Sequence, residues 1–251
     1  MSIAGRTYAP VVGSGRVRRV LVMAGCGVLT VTASACESTE QESAKLGREN
    51  AAASAEKTVK FGAVDHSVKV ADVTLLTGTG TGAVAAKLTS TSSRAAAGLP
   101  LDLEITSANG KLLYTNQTAG LEAALQELPL LPAHDSVWWV DDQVPPLPKG
   151  SQVKLRVGKP KADAAVKRAL STSGVKSSVQ SGVSLVKGRV KGSSAGGADV
   201  FIVVLKAGKP VAAGRALVVK LHGSETFQAF LAGKTDGGSV QIHVDALPSV
   251  H

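Results

Sequence analysis

The side chains that most often do chemistry are few in this chain of 251 residues, and they stand far apart. The five histidines are isolated, and no histidine or cysteine pair has metal-ligand spacing. They are His66, His134, His222, His243 and His251. Serine is abundant, and we interpret none as a nucleophile. The sequence therefore predicts no catalytic residue, no metal site and no cofactor.

Two adjacent carboxylates, Asp141 and Asp142, follow the aromatic segment Trp138-Trp139-Val140. A calcium ion needs six to eight oxygen ligands, and this segment offers too few. We therefore predict no cation site there.

An aromatic pair, Trp138 and Trp139, directly precedes these acids and is a weak candidate for binding. Neighbouring side chains of a strand point to opposite faces, so one indole should lie in a core and the other outside it. The outer indole would either stack on a sugar ring or a partner, or be covered by residues 120–132 or by a second domain. Which indole is the outer one stays open.

Residues 1–35 have the pattern of an export signal. Four arginines and no acid occupy the first 19 residues, and an apolar run from Val20 to Ala35 follows. The basic end would stay on the cytoplasmic side, while the apolar run is too short for a lasting membrane span. Removing this signal lowers the 28 basic residues to 24, against 19 acidic ones.

The sequence Ala33-Ser34-Ala35-Cys36 resembles the lipobox of bacterial lipoproteins. The resemblance implies that the Cys36 thiol receives a diacylglycerol, that cleavage occurs just before it, and that acyl chains such as palmitate hold the protein at the membrane. Three alternatives stay open: lipidation at Cys26, cleavage after Ala35 without lipid, and an uncleaved anchor. The location we expect is the cell membrane, facing outside the cytoplasm, by the Sec or the twin-arginine route.

Beyond the signal, the composition indicates a tether and two all-β domains. Residues 36–58 are polar and rich in Ala, Ser and Glu, which is typical of a flexible tether. From residue 59 the chain alternates short apolar runs with turn residues, as strands do. We predict one β-sandwich module over 59–158, a linker over 159–182 and a second module over 183–251. Because aromatic residues make up only 3%, the cores must be aliphatic.

Both modules contain a hairpin with a Gly-Lys turn. Leu99–Ile105 alternates with polar residues before Asn109-Gly110, and Val200–Leu205 precedes Ala207-Gly208. Aligning the two Gly-Lys pairs places Leu103 opposite Phe201. Similar strands precede and follow in the same order, which indicates an internal duplication, although two unrelated β domains remain the alternative.

The order of elements resembles the immunoglobulin-like modules of bacterial surface lipoproteins, particularly the FxLYD-type group. The resemblance covers about 83–158 and 184–246, and the second module has Val204-Leu205 where the group often has tyrosine. It implies a β-sandwich that serves as a spacer or interaction module without chemistry of its own.

The expected function is that of an exported, lipid-anchored cell-envelope protein acting as a non-catalytic structural or protein-interaction module. The alternative is an envelope binding protein for a small solute or glycan, with a site near the tryptophans or between the modules. Lysines are spread singly along the chain, so nucleic-acid binding is not expected. A modest attraction to anionic cell-wall polymers or lipid headgroups stays open.

Overall fold

The computed structural model describes residues 59–78, 80–118, 121–164 and 170–247. The predicted signal, Cys36 and the tether lie outside the described residues, as does His251. The described chain consists of antiparallel strands and one short 3-10 helix, so the predicted all-β class is confirmed. Residues 59–164 form its first half, and residues 170–247 form its second half.

Strands of the first half begin and end as follows: β1 (Val68–Thr77), β2 (Gly82–Ser90), β3 (Ala95–Thr106), β4 (Leu112–Thr115), β5 (Glu127–Leu131), β6 (Ser136–Val144), β7 (Gln152–Val157) and β8 (Ala162–Ala164). The 3-10 helix, Ala123–Leu125, precedes β5. Strands of the second half are β9 (Ser171–Gln180), β10 (Val183–Ser194), β11 (Ala198–Lys206), β12 (Lys209–Val218), β13 (Leu221–Gly233) and β14 (Ser239–Ala246).

The two halves pair their strands in the same pattern. In the first half β1, β2 and β6 form one sheet, while β3 pairs with β4 and β7. In the second half β9, β10 and β13 pair in the same order, while β11 pairs with β12 and β14. The halves differ in two respects. β3 also pairs with β5 and β8, and β12 also pairs with β13, which joins the second half into a six-stranded sheet. Shared pairing is what an internal repeat would produce.

The sequence alignment of the two hairpins is wrong by one residue. Leu103 lies in the core of its own half, whereas Phe201 lies in the core of the first half and the next residue, Ile202, lies in the core of the second half. The cause is loop length, because residues 107–111 connect β3 to β4 whereas only Ala207 and Gly208 connect β11 to β12. Both of these residues have positive φ, 49° and 77°, as in the tight turns that match strand twist. A shift of one residue exchanges the faces of a strand, so Phe201 points away from its own half's core.

The two halves share a hydrophobic core. One cluster lies within the second half and includes Val200, Ile202 and Phe227. The other cluster fills the first half but also takes in Phe201, Val203, Ala213 and Ala232 of the second half. The outward face of β11 and β12 is therefore buried against the first half.

Much of the segment predicted as a linker is strand. Residues 162–164 form β8 and pair with β3, and residues 171–180 form β9 and pair with β10. β9 is an edge strand whose residues are mostly exposed on both faces. Such a strand needs no apolar alternation, and its Ser-rich sequence therefore looks like a linker.

Candidate functional site

The structure settles which tryptophan lies inside. Trp139 is fully buried in the core of the first half and pairs in register with Ala86. The equivalent position in the second half is Phe227, which pairs with Gly188 and is also buried. A Cβ atom on Gly188 would come within 2.7 Å of the Phe227 ring, so this glycine makes room for the aromatic side chain.

Trp138 lies on the opposite face of β6, which the second half covers. It shares that face with Val140 and Asp142, and the backbone N–H of Arg215 donates to Asp142 Oδ2 at 3.0 Å. Trp138 itself is half-buried and packs against the shared core. Its indole therefore contributes to the junction of the two halves and leaves only part of its surface for a partner.

The densest group of charged side chains lies at this same junction. Arg215 of β12 is buried and donates to Glu122 beside the 3-10 helix and to Asp199 of β11, the latter at 3.4 Å. Asp142 of β6 lies 3.8 Å from the guanidinium. One cation thus holds carboxylates from both halves of the chain.

Burial and the guanidinium act in opposite directions on these groups. Burial by itself would lower the pKa of Arg215, but Asp199, Glu122 and Asp142 together raise it above its ordinary value. Burial raises the pKa of Asp199 to about 6, and Arg215 opposes that rise. Burial also raises the pKa of Asp142. The arginine stays charged, and the charge it carries is satisfied within the protein.

Asp141 faces the core of the first half, opposite to Asp142. Its Oδ2 accepts a hydrogen bond of 2.8 Å from Tyr114, and its Oδ1 accepts the N–H of Gln143 at 3.0 Å. Burial raises the pKa of Asp141 to about 6 although both hydrogen bonds favour the charged form. Burial likewise raises the pKa of Tyr114. The two adjacent carboxylates therefore point apart.

A buried histidine–carboxylate pair is a feature that sequence reasoning missed. His243 and Asp245 lie on β14 with Nε2 and Oδ2 2.7 Å apart, and both side chains are buried. The imidazole stacks on Phe201, with ring centroids 5.9 Å apart and planes 14° from parallel. Alternation along β14 could have revealed that the pair shares a face, but the burial of that face depends on the other half of the chain.

The other described histidines are exposed. His134 lies in a turn with φ of 50°, and His66 and His222 are also on the surface. No group of His, Cys, Asp or Glu in the described part of the chain could hold a metal ion.

Ser194 stands in a Gly-x-Ser-x-Gly sequence, residues 192–196, which our sequence reading overlooked. A hydrolase nucleophile in this pattern lies between a strand and a helix. Ser194 instead ends β10, a turn leads directly into β11, and its hydroxyl donates to the Leu247 carbonyl at 3.2 Å. The surroundings of Ser194 are therefore those of a β-turn serine.

An open groove lies where β1 of the first half meets the second half. Its volume is about 430 Å³, and it combines apolar, cationic and acidic side chains. The lining residues are Leu75, Leu76, Thr77, Lys206, Val211, Gly233, Lys234 and Asp236. The groove has the mixed lining that a small polar ligand with an apolar side would need.

Comparison with protein-family models, with curated proteins and with solved structures finds no match for this chain. None of the described residues belongs to a helix that is long and apolar enough to cross a membrane.

Proposed function

We propose that this is an exported, lipid-anchored cell-envelope protein that acts without catalysis as a structural or protein-interaction module. The proposal combines the N-terminal signal and lipobox-like sequence ending at Cys36 with an all-β body. Paired β-sheets with an immunoglobulin-like order of strands are a common form of spacer and interaction domain.

The observation that carries the proposal is the position of Arg215. The guanidinium and its three carboxylate partners form the densest charged group in the described chain, and they join the two halves instead of lining a cleft. These charged residues hold one half against the other. This use of charge favours a stiff two-part body.

The first described residues of the chain pack on the first half. The N–H of Val59 donates to Gln126, and Val64 forms a bridge with Gly158 beyond β7. A lipid at Cys36 and a tether of residues 37–58 would therefore be attached to the first half.

Site-specific photo-crosslinking in the native envelope tests the interaction role. A photo-reactive residue at Val219, which is 69% exposed, or at Leu112, which is 54% exposed, should capture a recurring envelope protein. The exposed Lys149 is the control position, where no such capture is expected. The interaction role would be contradicted if neither apolar position captured a partner.

The groove beside β1 favours a second candidate, an envelope binding protein for a small solute or glycan. A glycan array with the purified protein would test it. In that case, Lys234→Ala should weaken binding of the selected glycan, whereas Lys149→Ala should not. Equal binding by both variants would contradict a site in the groove.

A further inference from the structure

The outward face of β10 carries a row of three cations. Lys187, Arg189 and Lys191 alternate along the strand, so their side chains share one face, and all three are exposed. In the neighbouring strand β9, Lys176 pairs in register with Lys187 and is also exposed. Four positive side chains from two neighbouring strands thus form one cluster, the cationic face.

No carboxylate shares this face. The residues beside the cations are serine on β9 and Ser, Thr and Gln on β13, and within the described residues none of the four cations forms an ion pair. The neighbours in register are Ser171, Ser173, Ser224, Thr226 and Gln228. Like charges directly opposite each other on paired strands are destabilising. The pairing of Lys176 with Lys187 therefore does not serve the stability of the fold.

The first half uses the equivalent face differently. Because Ala86–Trp139 and Gly188–Phe227 are equivalent pairs, Lys187 corresponds to Ala85, and Gln228 corresponds to Val140. Ala85 and Val140 are fully buried in the core that both halves share. In the second half Lys187 and Gln228 take these two places, and both are exposed.

An exposed aromatic residue borders the cationic face. Phe230 is 63% exposed and pairs with Leu185, one step along the same face from Lys187. Solvent-exposed aromatic rings next to cations are typical of surfaces that bind at the membrane interface, where the ring enters the headgroup region and the cations meet anionic lipids.

We propose that the cationic face docks on the anionic lipid surface of the membrane. The three cations of β10 span about 13 Å along the strand, and Lys176 adds a second row about 5 Å away. This two-dimensional arrangement fits an array of headgroups, whereas a linear polymer would be better held by a groove. The proposal rests on the envelope location proposed above, and it would lay the second half against the membrane.

Vesicle binding by the mature chain, from residue 36 onward and carrying Cys36→Ser, tests the proposal without the export signal and without any acyl anchor. Binding to vesicles with phosphatidylglycerol is compared with binding to pure phosphatidylcholine. Each cation near an anionic surface strengthens binding about fivefold, so the triple variant Lys187→Ser/Arg189→Ser/Lys191→Ser should bind anionic vesicles about 100-fold more weakly. A matched triple variant at the exposed Lys60, Lys111 and Lys149 should lose much less.

The arginines and the apolar run of the export signal are absent from every variant, so they do not contribute to the comparison. Thermal melting confirms that each variant folds. Phe230→Ser should weaken binding to anionic vesicles further while the dependence on salt stays the same. The proposal would be overturned if the two triple variants lost the same amount of binding, or if the protein bound neutral vesicles as tightly as anionic ones. Binding to polyphosphate without binding to anionic vesicles would also overturn it. Because lipid at Cys36 is absent throughout, failure here is distinguishable from failure of the anchor.

Discussion

At the scale of single residues, the two tryptophans are predicted to differ in what they stabilise. Trp139→Ala should lower the free energy of unfolding by about 3–5 kcal/mol, because a fully buried aromatic ring leaves a large cavity. Trp138→Ala should cost less than half as much, because its ring is only half-buried. Chemical denaturation of the two variants measures the difference. Equal losses would show that Trp138 is packed as tightly as Trp139.

The Asp141 carboxyl is predicted to make stability depend on pH. Its pKa is about 6 in the folded chain, above the ordinary 3.8, so the folded chain holds this proton more tightly than the unfolded chain does. The resulting stabilisation is fully present below about pH 4 and is lost as the pH rises through about 6. Relative to wild type, Asp141→Asn should therefore gain about 3 kcal/mol of stability between pH 4 and pH 7.

Denaturation curves at several pH values test this, with Tyr114→Phe as a companion variant. The tyrosine hydroxyl favours the charged carboxylate, so its removal should raise the pKa of Asp141 further and extend the fall in stability to higher pH. A constant difference between Asp141→Asn and wild type at all pH values would rule out this titration.

Among the elements, strands with buried apolar residues are predictable from the sequence, whereas the exposed strand β9 is not. Leu99–Ile105 and Val200–Leu205 alternate or run apolar, and both form strands where the sequence places them. β9 has no buried face to mark it, so its sequence predicts part of a linker and not a strand. The register of β11 was also beyond the sequence, because the two hairpin loops differ in length and one residue of error exchanges the faces of the strand.

The junction cluster could not be predicted either, because its members are far apart in the chain. Glu122 and Arg215 meet only once the two halves pack together. Their burial is likewise a result of that packing. Single-sequence patterns report which face of a strand is apolar, but they do not report which other element covers a face.

Removal of Arg215 is predicted to destabilise the junction. Arg215→Met should lower the free energy of unfolding by about 3–5 kcal/mol, because it leaves the buried Asp199 without its cation. Adding Asp199→Asn to Arg215→Met should recover part of the loss, since the uncompensated charge is then gone. Denaturation of the single and double variants measures both effects. A double variant that is less stable by the full sum of the two single losses would contradict the pairing.

For the whole molecule, the shared core predicts one cooperative unfolding transition. Both tryptophans lie in the first half, so their fluorescence reports that half, whereas circular dichroism reports strands of both halves. Phe201→Ala changes only the second half, yet it should shift the fluorescence transition, because Phe201 is buried in the core of the first half. Two separate transitions would show that the halves unfold independently. A fluorescence transition with the same midpoint in Phe201→Ala and in wild type would show the same.

The whole protein is proposed to be held at the membrane by lipid on Cys36. In cells fed labelled palmitate, the wild-type protein should carry label, migrate at the size of the chain without residues 1–35, and fractionate with the membrane. Cys36→Ala should lose the label and either enter the medium or persist as uncleaved precursor, whereas Cys26→Ala should behave as wild type. If Cys36→Ala kept the label, the mature size and the membrane fraction, the proposed lipid anchor at Cys36 would be wrong.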